Sequence, residues 1–479
     1  MAPPPAGGGA SLALPVVLVA ILGSANFLWQ LDSSSLFIDE ALSWDAADGT
    51  FPEVLAGVRA TEISPPAHYY GLWAWIKAFG ADEWVIRLPS AVAGTCLVLV
   101  VFRLGSLVFG PRAGLFSALL TALSPLVLTY AQQARAYVFA MLLVGVAALA
   151  LLEARRAGAV RTRATWLVAA GVAAVVGFWT HYTAALVLAP MLAWACAGKG
   201  FGNRAKVALV SAVVLSWVAS LPLLREQLSH DHQQGIAAGA TLTVQHVVSA
   251  IATPFDGRLG QTTVWVAAGA ALIALSLLLA LASRPAGSRR GAMLVASAAV
   301  TPVLAVIAIT ALSDDVLLTR YTAVATPFML LLAGGAVVGA PRALGVAVGC
   351  AAVACAIATT VLNHGSGSFY PDVRAAYAEI AAGYRPGDAI TVSGYASIGP
   401  VSEYYRGQLV PQAPSALLPG MEAQTGEVIR ERRRVWILSS SVAELPVLRR
   451  ALAPLGYRPE RVATLEANGD LQVVLAVPR

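Results

Sequence analysis

Residues 136–153 read AYVFAMLLVGVAALALLE, and this stretch decides the fold class. It contains a single charged residue, Glu153, at its end. At the rise of an α-helix, these residues extend about 27 Å, close to the thickness of the hydrocarbon core of a bilayer. Arg135 precedes the stretch and Arg155 follows it. The stretch therefore predicts a transmembrane helix with basic residues at both ends.

Runs of the same kind recur along the chain, which is 58% hydrophobic and 12% charged and has a mean hydropathy of +0.71. Soluble domains carry about 25% charged residues, so this composition excludes a soluble or disordered protein. Eleven apolar runs suit membrane crossings, at 11–31, 88–109, 113–131, 136–153, 165–181, 183–198, 206–224, 262–282, 292–312, 322–340 and 343–362. The predicted fold class is an α-helical polytopic membrane protein with about eleven transmembrane helices.

The distribution of charge predicts the orientation of these helices. With a cytoplasmic N-terminus, the short cytoplasmic loops contain 13 basic residues and one acid, Glu153, whereas the opposite loops contain 7 basic and 14 acidic residues. The positive-inside rule favours this arrangement in the plasma membrane. The net charge of +6 is then a topological signal and gives no reason to expect a nucleic-acid partner. The C-terminal region, after eleven crossings, is predicted to be extracytoplasmic.

The first extracytoplasmic loop, 32–87, contains an apolar segment that is too short to cross the membrane. Residues 66–80 read PAHYYGLWAWIKAFG, with five aromatic side chains and Lys77. That length and aromatic content are typical of a helix lying in the membrane interface. The segment is therefore predicted to lie on the membrane, in contact with lipid.

The sequence predicts two domains, a membrane domain at 1–362 that includes the loop 32–87, and a small extracytoplasmic α/β domain at 363–479. In the second domain, hydrophobic periodicity predicts helices at 372–382 and 441–452, strands at 388–393 and 434–440, and a closing hairpin formed by 461–466 and 471–477. No Walker motif, glycine-rich phosphate loop or zinc spacing occurs in the sequence. Direct use of a soluble nucleotide is therefore not indicated.

No cofactor is predicted, although two acidic stretches leave a divalent cation open. The loop from Ser229 to Gln234 places two histidines around an acid, and Asp314 and Asp315 form an outward acidic pair. The first stretch has no further ligands nearby in sequence, and helix capping or solvation is the preferred interpretation of the acidic pair. The sequence assigns no metal-ligating residue.

The acids Asp39 and Glu40 follow directly after the first apolar run, in FIDEALSW at 37–44. A carboxylate at the membrane surface is partly desolvated and suits removal of a proton from an attacking hydroxyl group. Two solvated acids on an outward loop are the alternative interpretation. The pair is nevertheless the strongest candidate for a catalytic site in the chain.

Several short motifs follow one another as they do in a known superfamily. They are Asp39-Glu40, Ser64–Tyr70 (SPPAHYY), Ile86–Ala91 (IRLPSA), Tyr130–Tyr137 (YAQQARAY), Thr180–Tyr182 (THY) and Thr319–Tyr321 (TRY). In this order the chain resembles the GT-C superfamily of polyprenyl-phosphate-sugar glycosyltransferases. The resemblance covers about 11–340 and is to the branch related to protein O-mannosyltransferases and the aminoarabinose transferase of lipid A.

The resemblance implies an enzyme that transfers a single sugar, mannose first and arabinose next, from a polyprenyl-phosphate-linked donor. The acceptor is an extracytoplasmic lipid, glycan or protein of the cell envelope. The acid in the first outer loop acts as the base in such enzymes, which implies Asp39 as the base and Glu40 as its neighbour. Gln133 stands where many relatives have a carboxylate, so it is expected to hydrogen-bond the sugar or acceptor.

Expulsion of a lipid-linked phosphate requires fixed positive charge near the leaving group. Arg135 and Arg320 each lie at a predicted helix end beside a tyrosine, Tyr137 and Tyr321, and suit a bidentate grip on phosphate. His181 with Tyr182, and His68 with Tyr69, are further candidates for hydrogen bonds to phosphate, sugar or acceptor. Anchoring of the protein in the membrane interface is the alternative role for all of these side chains.

Two other functions fit parts of the pattern. A flippase or transporter of a lipid-linked sugar fits the many spans, but transporters carry polar residues near the bilayer midplane, and here the polar clusters lie at one face. A ligase that transfers a whole glycan from a lipid diphosphate shares the expected outer-face site. A comparison of monophosphate and diphosphate donors distinguishes the ligase from the single-sugar transferase.

Overall fold

A computed structural model describes most of the chain. The described residues are 10–198, 200–229, 236–238, 244–255, 269–275, 288–312, 315–317, 319–365, 371–393, 395–413, 416–417, 427–428, 433–439, 450, 452–454, 456–465 and 471–479. Contacts between residues divide the chain into two compact units. The membrane unit comprises Met1–Trp29, Thr50–Gly80 and Val85–Gly365, and the tail unit comprises Gln30–Gly49, Ala81–Trp84 and Ser366–Arg479.

The first loop is divided between the two units, whereas the sequence predicted that all of it belongs to the membrane domain. The sequence placed the whole loop 32–87 in the membrane domain and began the second domain at residue 363. In the structure, residues 30–49 and 81–84 group instead with the C-terminal region. The tail unit is therefore discontinuous in sequence, and the helix that carries Asp39 belongs to it.

Helices dominate the membrane unit. Their bounds are α1 Ala10–Leu28, α3 Phe51–Thr61, α4 Ala67–Phe79, α5 Glu83–Val108, α6 Pro111–Leu123, α7 Pro125–Ala131, α8 Tyr137–Arg156, α9 Val160–Thr180, α10 Ala184–Ala197, α11 Asn203–Ser229, α12 Val244–Ala252, α13 Arg289–Leu312, α14 Thr326–Gly339 and α15 Arg342–Gly365, with α2, Ile38–Asp48, in the tail unit. This unit also contains two 3₁₀ turns, Thr253–Phe255 and Thr319–Ala325, and a short ladder of β1, Ile236–Ala238, with β2, Asp315–Leu317.

Seven helices in the described part of the chain are long and apolar enough to cross a membrane. Helices α6 and α7, which meet at an angle of 58°, make an eighth crossing if they form one span. The shorter apolar helices Leu12–Leu28 and Ala184–Ala197 coincide with two further predicted runs, and 262–282 lies mostly outside the described residues. The polytopic helical fold is confirmed, whereas the count of eleven spans stays a prediction.

Small and polar side chains bring the helices of the membrane unit together. An added Cβ at Gly105 of α5 would lie 2.6 Å from the Cα of Gly114 in α6, so both positions require glycine for this close approach. The side-chain amide of Asn26 in α1 donates to the carbonyl of Ala122 at 3.0 Å. Hydrogen bonds of this kind connect helices in an apolar surrounding, where hydrophobic burial does not drive association.

The loop 32–87 is largely helical, which its charged composition does not reveal. Helices α2 and α3 occupy segments that the sequence left unassigned, and α4 confirms a helix of thirteen residues inside 66–80. Glu40 and Glu53 each accept the backbone N–H at the start of their own helix, from Phe37 and Thr50, and so cap these helices. The interfacial location of α4 stays a prediction.

A four-stranded sheet forms the core of the tail unit. Its strands are β3 Ala389–Ser393, β6 Val435–Ser439, β7 Tyr457–Leu465 and β8 Leu471–Pro478, in the order β3-β6-β8-β7. The pair β3–β6 is parallel, and the other two pairs are antiparallel. Helices α16, Val373–Gly383, and α17, Tyr395–Leu409, accompany this sheet, and two-residue strands β4, Ala416–Leu417, and β5, Glu427–Val428, form a second one.

The predicted α/β domain is confirmed in outline. The strands at 388–393 and 434–440 and the helix at 372–382 are present within one residue at each end, and β7 begins earlier than predicted. Helix α17 was not predicted, because Gly399 and Pro400 interrupt its pattern and normally disfavour a helix interior. The predicted helix at 441–452 lies almost wholly outside the described residues.

Candidate functional site

A buried ion pair lies at the centre of the polar residues in the membrane unit. The guanidinium of Arg135, just before α8, binds both carboxylate oxygens of Glu62, the residue that follows α3, at 2.6 and 3.2 Å. The two side chains are only 10% and 5% exposed. Such a pair requires good geometry to offset the cost of removing both charges from water, and the bidentate arrangement meets that requirement.

The pair changes the expectation for Arg135. The sequence predicted a guanidinium that binds the donor phosphate. The structure adds that Arg135 is paired with Glu62, and the phosphate contact stays a prediction. Glu62 itself was not predicted, because one acid among fourteen in the outer loops carries no signal of a partner 73 residues away. In the structure Arg135 organises the cluster around it.

His68 and Tyr69 of α4 lie beside this ion pair. His68 Nε2 lies 3.4 Å from the carbonyl oxygen of Ala134, which makes Nε2 the protonated nitrogen of a neutral ring. Burial and the charge of Arg135 lower the pKa of His68 to about 3. The Tyr69 hydroxyl donates to Glu62, and burial together with that carboxylate raises the tyrosine pKa. Both residues therefore stay uncharged at neutral pH.

His181 lies between α9 and α10, in the hinge that the sequence predicted. Its Nδ1 accepts the backbone N–H of Thr183 at 3.3 Å, so the neutral ring carries its proton on Nε2 and is a hydrogen-bond donor there. Burial, followed by the charges of Arg135 and Arg320, lowers its pKa to about 3. The 3₁₀ turn that carries Arg320 packs against α8 and α10, so the fold brings this motif close to the hinge that carries His181.

An aromatic column continues from His181. The ring of Tyr137 lies 4.8 Å from that of His181 and 4.2 Å from that of Tyr130, centroid to centroid. Gln133, in the turn before α8, is buried. Its main-chain carbonyl accepts the backbone N–H of Arg135 at 2.8 Å. Motifs from the ends of α7, α8 and α9 therefore form one compact cluster of stacked rings and hydrogen-bonding groups.

Arg320 and Tyr321 lie in the 3₁₀ turn that precedes α14, and both are partly exposed. The guanidinium carbon of Arg320 lies 5.7 Å from the centre of the Tyr321 ring. This contact is within the range of a cation–π interaction, which restricts the arginine without removing its charge. Arg320 is therefore the more accessible of these two predicted cations, since Arg135 is buried.

Tyr182 has a structural contact that the sequence did not predict. Its hydroxyl donates to the amide oxygen of Gln227 at 3.0 Å, and the amide nitrogen of Gln227 donates to the carbonyl of Ser64 at 2.9 Å. This chain of bonds joins the hinge and α11 to the segment that contains Glu62. Tyr182 thus helps to hold the cluster together, and its contact with donor phosphate stays a prediction.

Asp39 and Glu40 lie in the tail unit, on the first turn of α2. Glu40 is buried and accepts the backbone N–H of Phe37 at 3.0 Å, whereas Asp39 is partly exposed. The two acids therefore have different surroundings although they are adjacent in sequence. Glu40 stabilises the start of the helix, and Asp39 is the more accessible carboxylate.

The residues described by the structure contain no group of three or more His, Cys, Asp or Glu side chains placed to hold a metal ion. The predicted stretch at 229–234 lies outside the described residues except for Ser229, and Asp314 is likewise outside them. Asp315 pairs with Ala238 in the β1–β2 ladder. A cation at these acids stays a hypothesis.

Residues 64–224 match a family model described as dolichyl-phosphate-mannose-protein mannosyltransferase. That range contains His68, Arg135 and His181 but not Asp39 or Arg320. A segment of 243 residues is 27% identical to YkcB of Bacillus subtilis, described as a candidate mannosyltransferase, and covers 48% of this chain and 33% of that protein. The chain thus matches only about a third of the length of this relative.

Solved structures share the fold along almost the whole chain. The chain is 15% identical to ArnT from Cupriavidus metallidurans bound to undecaprenyl phosphate, with a TM-score of 0.66 and coverage of 98% of both chains. It is 12% identical to the oligosaccharyltransferase AglB from Archaeoglobus fulgidus, with a TM-score of 0.53 over 96% of this chain and 74% of that one. It is 14% identical to the arabinofuranosyltransferase AftD from Mycobacteria, with a TM-score of 0.52 over 98% of this chain and 40% of that one.

At these identities the structural likeness is one of fold. The family model supplies the independent sequence evidence, and it covers the segment in which most of the buried cluster lies. The chain therefore shares its fold with these solved structures, and its residues 64–224 resemble the mannosyltransferase family.

Proposed function

We propose that this protein is an integral membrane glycosyltransferase that moves a single sugar from a polyprenyl-phosphate donor to an extracytoplasmic acceptor. Mannose is the favoured sugar and arabinose the next. The observation that carries the proposal is the buried cluster in which the His181 ring lies 4.8 Å from that of Tyr137, at the start of α8, against which the 3₁₀ turn with Arg320 packs. Neutral hydrogen-bonding groups and a partly exposed guanidinium suit the phosphodiester of a lipid-linked sugar in a site with little water.

The comparisons support the class of donor. ArnT is described with undecaprenyl phosphate bound, and AglB with a dolichol-phosphate. A lipid-linked donor in this chain requires no nucleotide pocket, in agreement with the absence of a Walker motif from the sequence. We assign the phosphate contacts to Arg320 and His181. The ring of Tyr321 contacts Arg320, and the ring of Tyr137 contacts His181, and both keep their partners in position. His68, Tyr69 and Gln133 are assigned to positioning of the sugar or acceptor.

In the proposed reaction, Asp39 removes the proton from the acceptor hydroxyl. The acceptor oxygen forms a bond to the anomeric carbon, and the bond from that carbon to the phosphate oxygen breaks. Polyprenyl phosphate leaves with the bonding electron pair, and Arg320 stabilises the negative charge that develops on it. Glu40 keeps the first turn of α2 in place.

The test is transfer by the purified protein supplied with polyprenyl-phosphate mannose or arabinose and an envelope acceptor extract. We expect transfer from a monophosphate donor and none from a lipid diphosphate carrying a whole glycan. Substitution of the base, Asp39→Asn, is expected to reduce kcat about 100-fold or more, since a general base contributes at least that factor.

Asp48→Asn is the matched control, because it removes the same charge from the exposed end of the same helix and is expected to leave kcat unchanged. Full activity in the Asp39→Asn protein would exclude Asp39 as the base. Accumulation of donor in sealed vesicles without covalent transfer would instead support a flippase. Transfer from the diphosphate donor alone would support a ligase.

A further inference from the structure

The helix that carries Asp39 is built into the tail unit through the segment that precedes it. The backbone N–H of Leu36 donates to the hydroxyl of Tyr405 in α17 at 2.9 Å, and that hydroxyl donates in turn to the carboxylate of Glu83. Tyr405 is 2% exposed and Leu36 is 1% exposed. One buried hydroxyl therefore fixes the backbone three residues before Asp39.

A second set of bonds fixes the same segment from α16. The hydroxyl of Ser35 donates to the Asp372 carboxylate at 2.9 Å and accepts the backbone N–H of Arg374 at the same distance. The Arg374 guanidinium donates to the carbonyl of Asp32 at 2.8 Å and to Glu83 at 2.9 Å. Residues 32–36 are thus held at both their backbone and their side chains.

The body of α2 packs against α17 as well. The ring of Trp44 meets that of Tyr404 edge to face at a centroid distance of 5.1 Å, and the Tyr404 hydroxyl donates to the carbonyl of Ala81 at 2.8 Å. Aromatic contacts of this kind fix relative orientation in addition to burying area. The helix that carries the proposed base therefore has contacts with the C-terminal region along its length and in front of its first turn.

We propose that the C-terminal region is a positioning element for the proposed base, and that Tyr405 is its principal positioning residue. This inference rests on the proposed function, in which Asp39 takes the acceptor proton. Displacement of a catalytic group by about 1 Å costs on the order of 100-fold in rate. Loss of the Tyr405 hydroxyl leaves the buried Leu36 N–H and the Glu83 carboxylate without that partner, so the first turn of α2 must shift or open.

Tyr405→Phe tests the proposal because it removes a single oxygen atom. Tyr377→Phe is the matched control, because the Tyr377 hydroxyl is also buried but bonds to Ser402, at 2.6 Å, within the C-terminal region and away from the segment before α2. We expect the Tyr405→Phe protein to lose about tenfold or more in kcat with little change in the KM for donor. We expect the Tyr377→Phe protein to keep kcat while losing similar thermal stability.

Hydrogen exchange of the full-length protein in detergent provides a readout that needs no activity. The amides of residues 36–48 are expected to exchange about fivefold faster in Tyr405→Phe, and at the wild-type rate in Tyr377→Phe. Faster exchange in a protein whose wild type transfers no sugar would retain the positioning role and reject the proposed function. Equal kcat in both variants, or unchanged exchange in Tyr405→Phe, would overturn the positioning role itself.

Discussion

Charged side chains occur both in the Glu62–Arg135 pair of the membrane unit and on the first turn of α2 in the tail unit. The two regions differ in how far these charges are buried and paired. Glu62 and Arg135 are buried and joined by two hydrogen bonds, and the histidines His68 and His181 near Arg135 are held neutral. On α2, only Glu40 is buried, and Asp39 next to it remains partly exposed.

This difference in burial suits the two regions to different chemistry. A desolvated cluster with matched charges keeps its protonation state over a wide pH range and suits the orientation and binding of an anion. A carboxylate in contact with water exchanges protons readily and suits proton transfer. We therefore expect substitutions in the buried cluster to affect folding and donor binding, and substitutions at Asp39 to affect turnover.

The largest effect on stability is expected from Glu62→Gln. This change leaves the Arg135 charge buried without its partner and should destabilise the protein by about 3–5 kcal/mol. Glu226→Gln breaks an exposed pair with Arg59, at 3.4 Å, and should cost about 1 kcal/mol or less. Thermal unfolding in detergent measures both, and equal losses would contradict the special role of the buried pair.

The next effect is on donor affinity. Arg320→Gln removes the proposed charge-assisted contact with phosphate and is expected to raise the KM for donor about tenfold or more, with thermal stability nearly unchanged. Arg320→Lys keeps the charge but loses the planar guanidinium, so its KM for donor should lie between those of the wild type and Arg320→Gln. The KM is measured from initial rates at several donor concentrations. An unchanged KM in Arg320→Gln would exclude Arg320 as the phosphate contact.

A smaller effect is expected at Glu40. Glu40→Gln weakens the cap at the start of α2 and should cost about 1 kcal/mol, while kcat changes only a few-fold. The measurement is thermal unfolding alongside turnover, with Asp39→Asn assayed in parallel. If Glu40→Gln abolishes turnover as Asp39→Asn does, the contrast between the two acids is wrong and Glu40 shares the chemistry.

The smallest effect at neutral pH concerns His181. Its pKa is about 3 in the folded protein, below the ordinary value of 6.5, because of burial and the nearby Arg135, Arg320 and His68. The folded state therefore binds fewer protons, and stability is lost as pH falls from about 6.5 toward 3. His181→Asn should make the melting temperature less dependent on pH between 6.5 and 4.5. A slope equal to that of the wild type would show that His181 does not titrate as described.

Local patterns predicted much of this molecule, because membrane crossings and helix ends depend on neighbouring residues. The apolar stretch 136–153 and the hinge at His181 follow from hydropathy alone. Glu62 and Tyr405 were missed, because their roles depend on partners 73 and 369 residues away along the chain. Charge composition identifies outward acids, but only the fold shows which of them is matched by a buried arginine.

The discontinuous tail unit has a consequence for the order in which the protein matures. Residues 30–49 leave the ribosome more than 300 residues before the segment that begins at Ser366, which supplies α16 and α17. At roughly 5–20 residues per second, α2 waits about 15 to 65 seconds for its partners. All the helices of the membrane unit after α1 are synthesised in that interval, so the segment with Asp39 reaches its final environment only after they have been made.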